Sequence, residues 1–149
     1  MTIGSMTFVL HTHLPYCRLA GRWPHGEEWF HEAMLECYLP LLRAFRRLGT
    51  EVEGSFGVTI NVTPILAEQL GDPLMRDHFR EYLAERIQRA QEDVRRFDPH
   101  SQRGKTAEFH LIRYEAIRAF FENELRGDVL GALRDLEASG HIEIATSAA

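Results

Sequence analysis

An α/β fold built on a parallel sheet is predicted by three features of the sequence. Short apolar or alternating runs at residues 6–10, 55–62 and 141–146 read as strands. Stretches of helical periodicity separate them, and each is longer than the roughly dozen residues that a parallel crossover needs. Helix-capping residues or Pro and Gly stops stand at most of the junctions.

The first strand is Met6–Leu10, apolar and partly β-branched, running directly into His11-Thr12-His13-Leu14-Pro15-Tyr16. Pro15 forbids further regular pairing. Gly21, Pro24 and Gly26 make residues 16–26 a loop. A helix follows, with Glu27 and Glu28 in its first turn and Arg46, Arg47 and Gly49 at its end. Its expected core stripe is Met34, Tyr38, Leu41, Phe45 and Leu48, with a kink at Pro40.

In the second strand Phe56, Val58, Ile60 and Val62 alternate with small or polar residues. Thr63-Pro64 reads as an N-cap and first turn of a short helix to Leu70, and Asp72-Pro73 opens a long one. The stripe of the long helix is Phe79, Leu83, Ile87, Ala90, Val94 and Phe97. Asp98–Lys105 reads as a polar loop, the least ordered part of the chain. A helix over Thr106–Arg126 ends at Gly127, Asp128 caps another that stops near Gly140, and residues 141–146 form the third strand. Right-handed crossovers would then put three strands in one sheet with the helices outside. Such a sheet leaves strand surface uncovered, so Ile142 and Ile144 are expected on an exposed face that drives self-association.

Composition narrows the function. The 149 residues carry 17 Lys and Arg against 22 Asp and Glu, a net charge of −5. That balance argues against nucleic acid as the partner, which needs a clustered basic surface. No run of about 18 apolar residues is available for a membrane span. Only Cys17 and Cys37 occur, without a zinc-site spacing, and the start of the chain lacks a basic secretory leader. Two unpaired thiols fit a reducing, cytoplasmic compartment.

Chemistry is concentrated where the first strand ends. His11 and His13 are two residues apart, so in extended chain they project to one side. In α/β barrels this carboxyl end is the active face. Two imidazoles there can ligate a metal, bond a polar ligand, or be satisfied structurally by loop backbone. A metal-dependent hydrolase would need further ligands, and the later strand ends, Asn61-Val62-Thr63 and Thr146-Ser147, supply none. Tyr16, Arg18, Trp23, His25 and Trp29 follow instead. Aromatic faces stack on sugar rings and Arg and His reach hydroxyls, which favours a carbohydrate ligand, although Trp29 can equally pack in the core.

A glycosidase also needs a carboxylate pair, about 5–5.5 Å apart in a retaining enzyme. Glu27, Glu28, Asp72 and Glu143 are candidates, but Asp72 reads more simply as a cap and Glu28 as a first-turn charge. Glu143 points away from Ile142 and Ile144, onto whatever face lies opposite them. No credible pair emerges.

Three segments carry a family resemblance: Phe8–Leu42, opening F-V-L-H-T-H-L-P-Y; Gly57–Leu70; and the closing Gly140–Ala149. They resemble the N-terminal part of glycoside hydrolase family 57, most closely its 1,4-α-glucan branching enzymes. The resemblance implies the N-terminal portion of a (β/α)7 barrel, truncated after the third strand, so that residues 1–149 are a partial catalytic domain. It implies retaining transglycosylation of an α-1,4 glucan into α-1,6 linkage, without a metal or organic cofactor. The family's first-motif histidine falls on His13, with His11 beside it at the donor subsite, and Tyr16 and Trp23 lie in the loop that contacts glucose rings. The family's nucleophilic Glu and acid/base Asp lie further downstream, so no catalytic residue is assigned here and the chain alone is expected to be inactive. A non-catalytic glucan-binding or partner-requiring module is the alternative.

Overall fold

The computed structural model describes residues 4, 6–51 and 56–147. Ser5, Ser55 and the last two residues of the closing family segment, Ala148 and Ala149, lie outside them. Three parallel strands, β1 (Val9–Thr12), β2 (Val58–Val62) and β3 (Ile142–Thr146), form one sheet in the order β1-β2-β3. The α/β class and the parallel sheet are therefore as predicted.

The first strand lies further along than its apolar run, and His11 belongs to it. Residues 6–8 remain exposed while pairing begins at Val9, opposite Thr59. Register against β2 decides this boundary, and local hydrophobicity does not encode it.

Helices cover one face of the sheet. Ile60, Val62 and Ile142 on that face are buried, and Leu10, Val58 and Ile144 pack against the same core. Ile142 is only 4% exposed, so the expectation that Ile142 and Ile144 lie on an open surface is corrected. The open face is the opposite one, where Val9, His11 and Glu143 are exposed.

Between β1 and β2 the helix runs as α1 (Glu27–Ala33), a π-helical segment (Met34–Tyr38) and α2 (Leu39–Glu51). The Leu39 N–H bonds Met34 O, five residues back, immediately before Pro40. Pro40 lacks an N–H and its ring crowds the carbonyl four residues earlier, so a widened turn absorbs what a sharp kink would otherwise absorb. The extra residue rotates the stripe. The buried set is Met34, Leu35, Leu39, Leu42 and Phe45, whereas Tyr38 and Leu41 are half-buried and Leu48 is exposed.

α3 (Pro64–Gly71) and α4 (Pro73–Arg96) follow as predicted. Asp72 caps α4 by accepting from the Leu74 and Met75 N–H groups. Thr63 occupies the cap position of α3 but its hydroxyl makes no capping bond. The stretch predicted as a polar loop is instead a tight turn leading into α5 (Gln102–Ala119). Ser101 caps it by accepting from Gly104 N, and both Ser101 N–H and Oγ donate to Asp98 O. α5 passes into a second π segment (Phe120–Glu124), Gly127 takes φ +73°, and Asp128 caps α6 (Val129–Ala138) through Gly131 N. No helix among the described residues is long and apolar enough to cross a membrane.

Candidate carbohydrate-binding face

Pairing of β1 with β2 sets His11 opposite Asn61, and pairing of β2 with β3 sets Asn61 opposite Ala145. His13 follows one residue after β1. Its ring and that of His11 lie nearly parallel, at 19°, with centroids 6.3 Å apart. Both side chains are exposed, so the spacing argument for a shared side holds and neither imidazole is buried in apolar packing. The strand ends around them are tied laterally. Thr12 Oγ1 donates to Asn61 O at 2.7 Å, and Asn61 Nδ2 donates to Ala145 O at 3.2 Å. Asn61 Oδ1 and Thr63 Oγ1 are buried without a hydrogen-bond partner among the described residues, both at the carboxyl end of β2. Upstream, Thr59 Oγ1 donates to Glu143 Oε2 at 3.1 Å.

The loop that follows is fixed from behind. Gln69 of α3, 1% exposed, accepts from Cys17 N at 2.7 Å and donates to Pro15 O at 3.1 Å. Glu27, also 1% exposed, accepts from Leu19 N at 3.0 Å, and its other oxygen lies 2.6 Å from His78 Nδ1 of α4. Arg18 donates to Asp72 at 2.5 Å. Burial of Asp72 would raise its pKa, but the Met75 and Leu74 N–H groups and the Arg18 guanidinium outweigh that and hold the carboxyl below its ordinary value. Arg22 pairs with Glu81 at 2.7 Å. Gly26 has φ +60°, and a Cβ there would overlap the carbonyls of Gly21 and Ala20, so the loop's exit demands glycine.

Held this way, the loop presents its rings outward. Tyr16 is 59% exposed and Trp23 70%. Trp29 stays about half exposed, with His25 packed edge-on against it at 5.5 Å, and is not a core residue. Trp23 stands with Arg22, Glu28, His31 and Tyr82 around a cavity of about 370 Å³ between α1 and α4. The structure thus brings His11 and His13 together and keeps Tyr16 and Trp23 on the same pinned loop, with Trp23 also walling a separate cavity.

The four candidate carboxylates have other employments. Glu27 anchors the loop, Asp72 caps α4 and binds Arg18, Glu143 bonds Thr59, and Glu28 lines the cavity beside Trp23. Among the described residues no group of three or more His, Cys, Asp or Glu is arranged to hold a metal ion. Glu27, Gln69 and His78 position the loop, a role that a motif reading misses. A signal was present: Glu27, Phe30, His31 and Met34 keep helical spacing, as do Leu66, Gln69 and Leu70, so polar side chains sit on faces that must be buried.

The family model of glycosyl hydrolase family 57 matches residues 7–149. A 1,4-alpha-glucan branching enzyme of Thermococcus kodakarensis is 42% identical over 148 residues, which is 98% of this chain and 21% of that protein. A crystal structure of a family 57 branching enzyme from the same archaeon, in complex with glucose and additives, superposes with a TM-score of 0.88 over 95% of this chain and 25% of its own. The branching enzyme of Pyrococcus horikoshii gives 0.90 at 38% identity, covering 96% and 26%; an α-amylase of Thermotoga maritima gives 0.82 at 29% identity, covering 94% and 26%. The chain therefore spans between a fifth and about a quarter of the length of these relatives. With the family model matched along all but its first six residues, the chain belongs to glycosyl hydrolase family 57.

Proposed function

We propose that His11 and His13, with Tyr16 and Trp23 on the loop that follows them, bind glucose units of an α-glucan in a 1,4-α-glucan branching enzyme. The three strands would be the first three of a (β/α)7 barrel, with residues 1–149 the N-terminal segment of its catalytic domain. One observation carries the reading: two exposed, nearly parallel imidazoles at the carboxyl end of β1, followed by a loop that buried Gln69 and Glu27 hold with Tyr16 and Trp23 facing solvent. Imidazole N–H groups can bond sugar hydroxyls while aromatic faces cover the apolar sides of the rings. The branching enzymes among the relatives support the substrate class. The two free thiols, Cys17 and Cys37, suit a cytoplasmic setting.

The reaction in view is retaining transglycosylation, α-1,4 to α-1,6, with His13 lining the donor subsite. It needs a nucleophile and an acid/base beyond the four engaged carboxylates, and no cofactor is assigned. The 149-residue polypeptide is thus expected to bind glucan without branching it. Titration with maltoheptaose should change Trp fluorescence saturably, and Trp23→Ala should abolish that response although Trp29 remains. A response unchanged in Trp23→Ala, or none at high maltoheptaose, would sink the binding face. Turnover of amylose, detected by iodine staining and linkage analysis, would contradict the assignment of catalysis elsewhere.

A further inference from the structure

α4 and α5 lie side by side, and along part of their contact they line a solvent-open groove of about 440 Å³. Pockets for small ligands generally fall in this size range. The hollow has a cause in the sequence. The buried stripe of α4 runs Phe79, Leu83, Ile87 and then drops to Ala90, and the residue that α5 buries there is Ala107. Two methyl groups cannot fill the space that two larger side chains would.

What surrounds this small apolar floor is cationic. Arg86 and Arg89 reach the groove from α4, and Arg103 and His110 from α5. Arg89 is neutralised by Glu85 at 2.5 Å, but neither Arg86 nor Arg103 pairs with a carboxylate among the described residues. The one acid in the lining is Asp93. Arg86 Nε and His110 Nδ1 are buried and have no hydrogen-bond partner among the described residues. Folded proteins leave few such atoms unsatisfied, because each carries an uncompensated desolvation cost. Here there are two, one from each helix, bordering the same groove. The Arg86 guanidinium is stacked over the Tyr82 ring at 4.8 Å, which orients it without occupying its donors. Phe97 and Tyr114 supply aromatic surface at the wall.

We propose that this groove binds a phosphate-bearing small molecule. The phosphate would take the Arg86 and Arg103 guanidiniums and His110, since guanidinium matches the spacing of phosphate oxygens and forms charge-assisted bonds with them. A ring attached to the phosphate would lie against Phe97 and Tyr114. The site shares Arg86 and Arg89 with the cavity beside Trp23 but includes none of His11, His13, Tyr16 and Trp23, and it does not depend on the glucan reading.

Calorimetric titration of the protein with inorganic phosphate, glucose 1-phosphate and AMP, at constant ionic strength, tests it. Saturable one-to-one binding of at least one of the three is expected, with NMR shift changes centred on Thr106, Ala107 and His110. Tighter binding of a ring-bearing ligand would place the ring on the aromatic wall, and equal affinities would identify the phosphate group alone as the ligand; either supports the site. Arg103 is exposed, so Arg103→Gln should leave the fold intact while weakening binding about tenfold, the loss of one charge-assisted bond. Arg86→Gln should weaken it further. No saturable heat at millimolar ligand, or affinity unchanged in Arg103→Gln, would overturn the proposal.

Discussion

His31 shows how a polar side chain can be used as an aromatic one. It is 3% exposed, lies among Phe30, Phe79 and Tyr82 at centroid distances of 5.4–6.0 Å, and neither ring nitrogen has a hydrogen-bond partner among the described residues. Burial pushes its pKa down to about 4, against the opposing pull of Glu27, with His78 and Arg22 lowering it further. The folded ring therefore stays neutral over a range in which the unfolded one takes a proton. Between the ordinary value of 6.5 and about 4 the unfolded state binds more protons, so stability is complete above the upper limit and falls as pH is lowered through the window. The loss should reach about 3 kcal/mol at the acid end. His31→Phe keeps an aromatic ring and removes the proton site. Its melting temperature should decline less than that of the parent as pH falls over this range, and parallel pH profiles would refute the assignment.

At the scale of elements, legibility followed how local the determining interaction is. The caps at Asp72 and Asp128 and the alternation of Val58, Ile60 and Val62 could be read directly, because each is a short-range pattern with one physical cause. The start of β1 could not, since it is fixed by register against Thr59, some fifty residues away. Nor could the π segment before Pro40, which moves burial from Tyr38 and Leu41 to Leu39 and Leu42, because a single inserted residue leaves no compositional mark. Of the binding face, His11, His13, Tyr16 and Trp23 were legible as a motif, but their anchors Glu27 and Gln69 act from helices that only the tertiary fold brings behind the loop. Residues 98–105 misled through composition, since polar Ser101 and Gly104 are there to start α5 tightly. A Cβ on Gly104 would overlap Asp98 O and the Pro99 backbone. Gly104→Ala should consequently destabilise the protein by about 1–3 kcal/mol in urea denaturation, the usual cost of overpacking. Gly57→Ala, where nothing among the described residues lies within 4 Å, serves as the neutral control. Equal stability of the two variants would mean that the turn relaxes freely.

For the whole molecule, the helices among the described residues lie on one side of the sheet and leave the other side open. In the barrel proposed above that open face turns inward, which accounts for its mixture of Thr59, Asn61 and Glu143 with His11 at the rim. In the 149-residue polypeptide it meets water, and its polar residues tolerate this better than the edge does. Among the described residues β1 pairs only with β2, so the other side of β1 carries unbonded backbone groups. Beside that edge stand three exposed apolar side chains, Met6 at 81%, Phe8 at 58% and Val9 at 67%. An unpaired edge flanked by apolar surface is a template for a second chain. The polypeptide should therefore self-associate with rising concentration in sedimentation experiments, through this edge and not through Ile142 and Ile144, which are packed against the core. Val9→Lys places a charge on the edge without touching the helical face, and it should shift the protein toward monomer while leaving its melting temperature unchanged at low concentration. A parent chain that stays monomeric throughout, or a Val9→Lys variant that associates as strongly, would show that the edge is not where the chains meet.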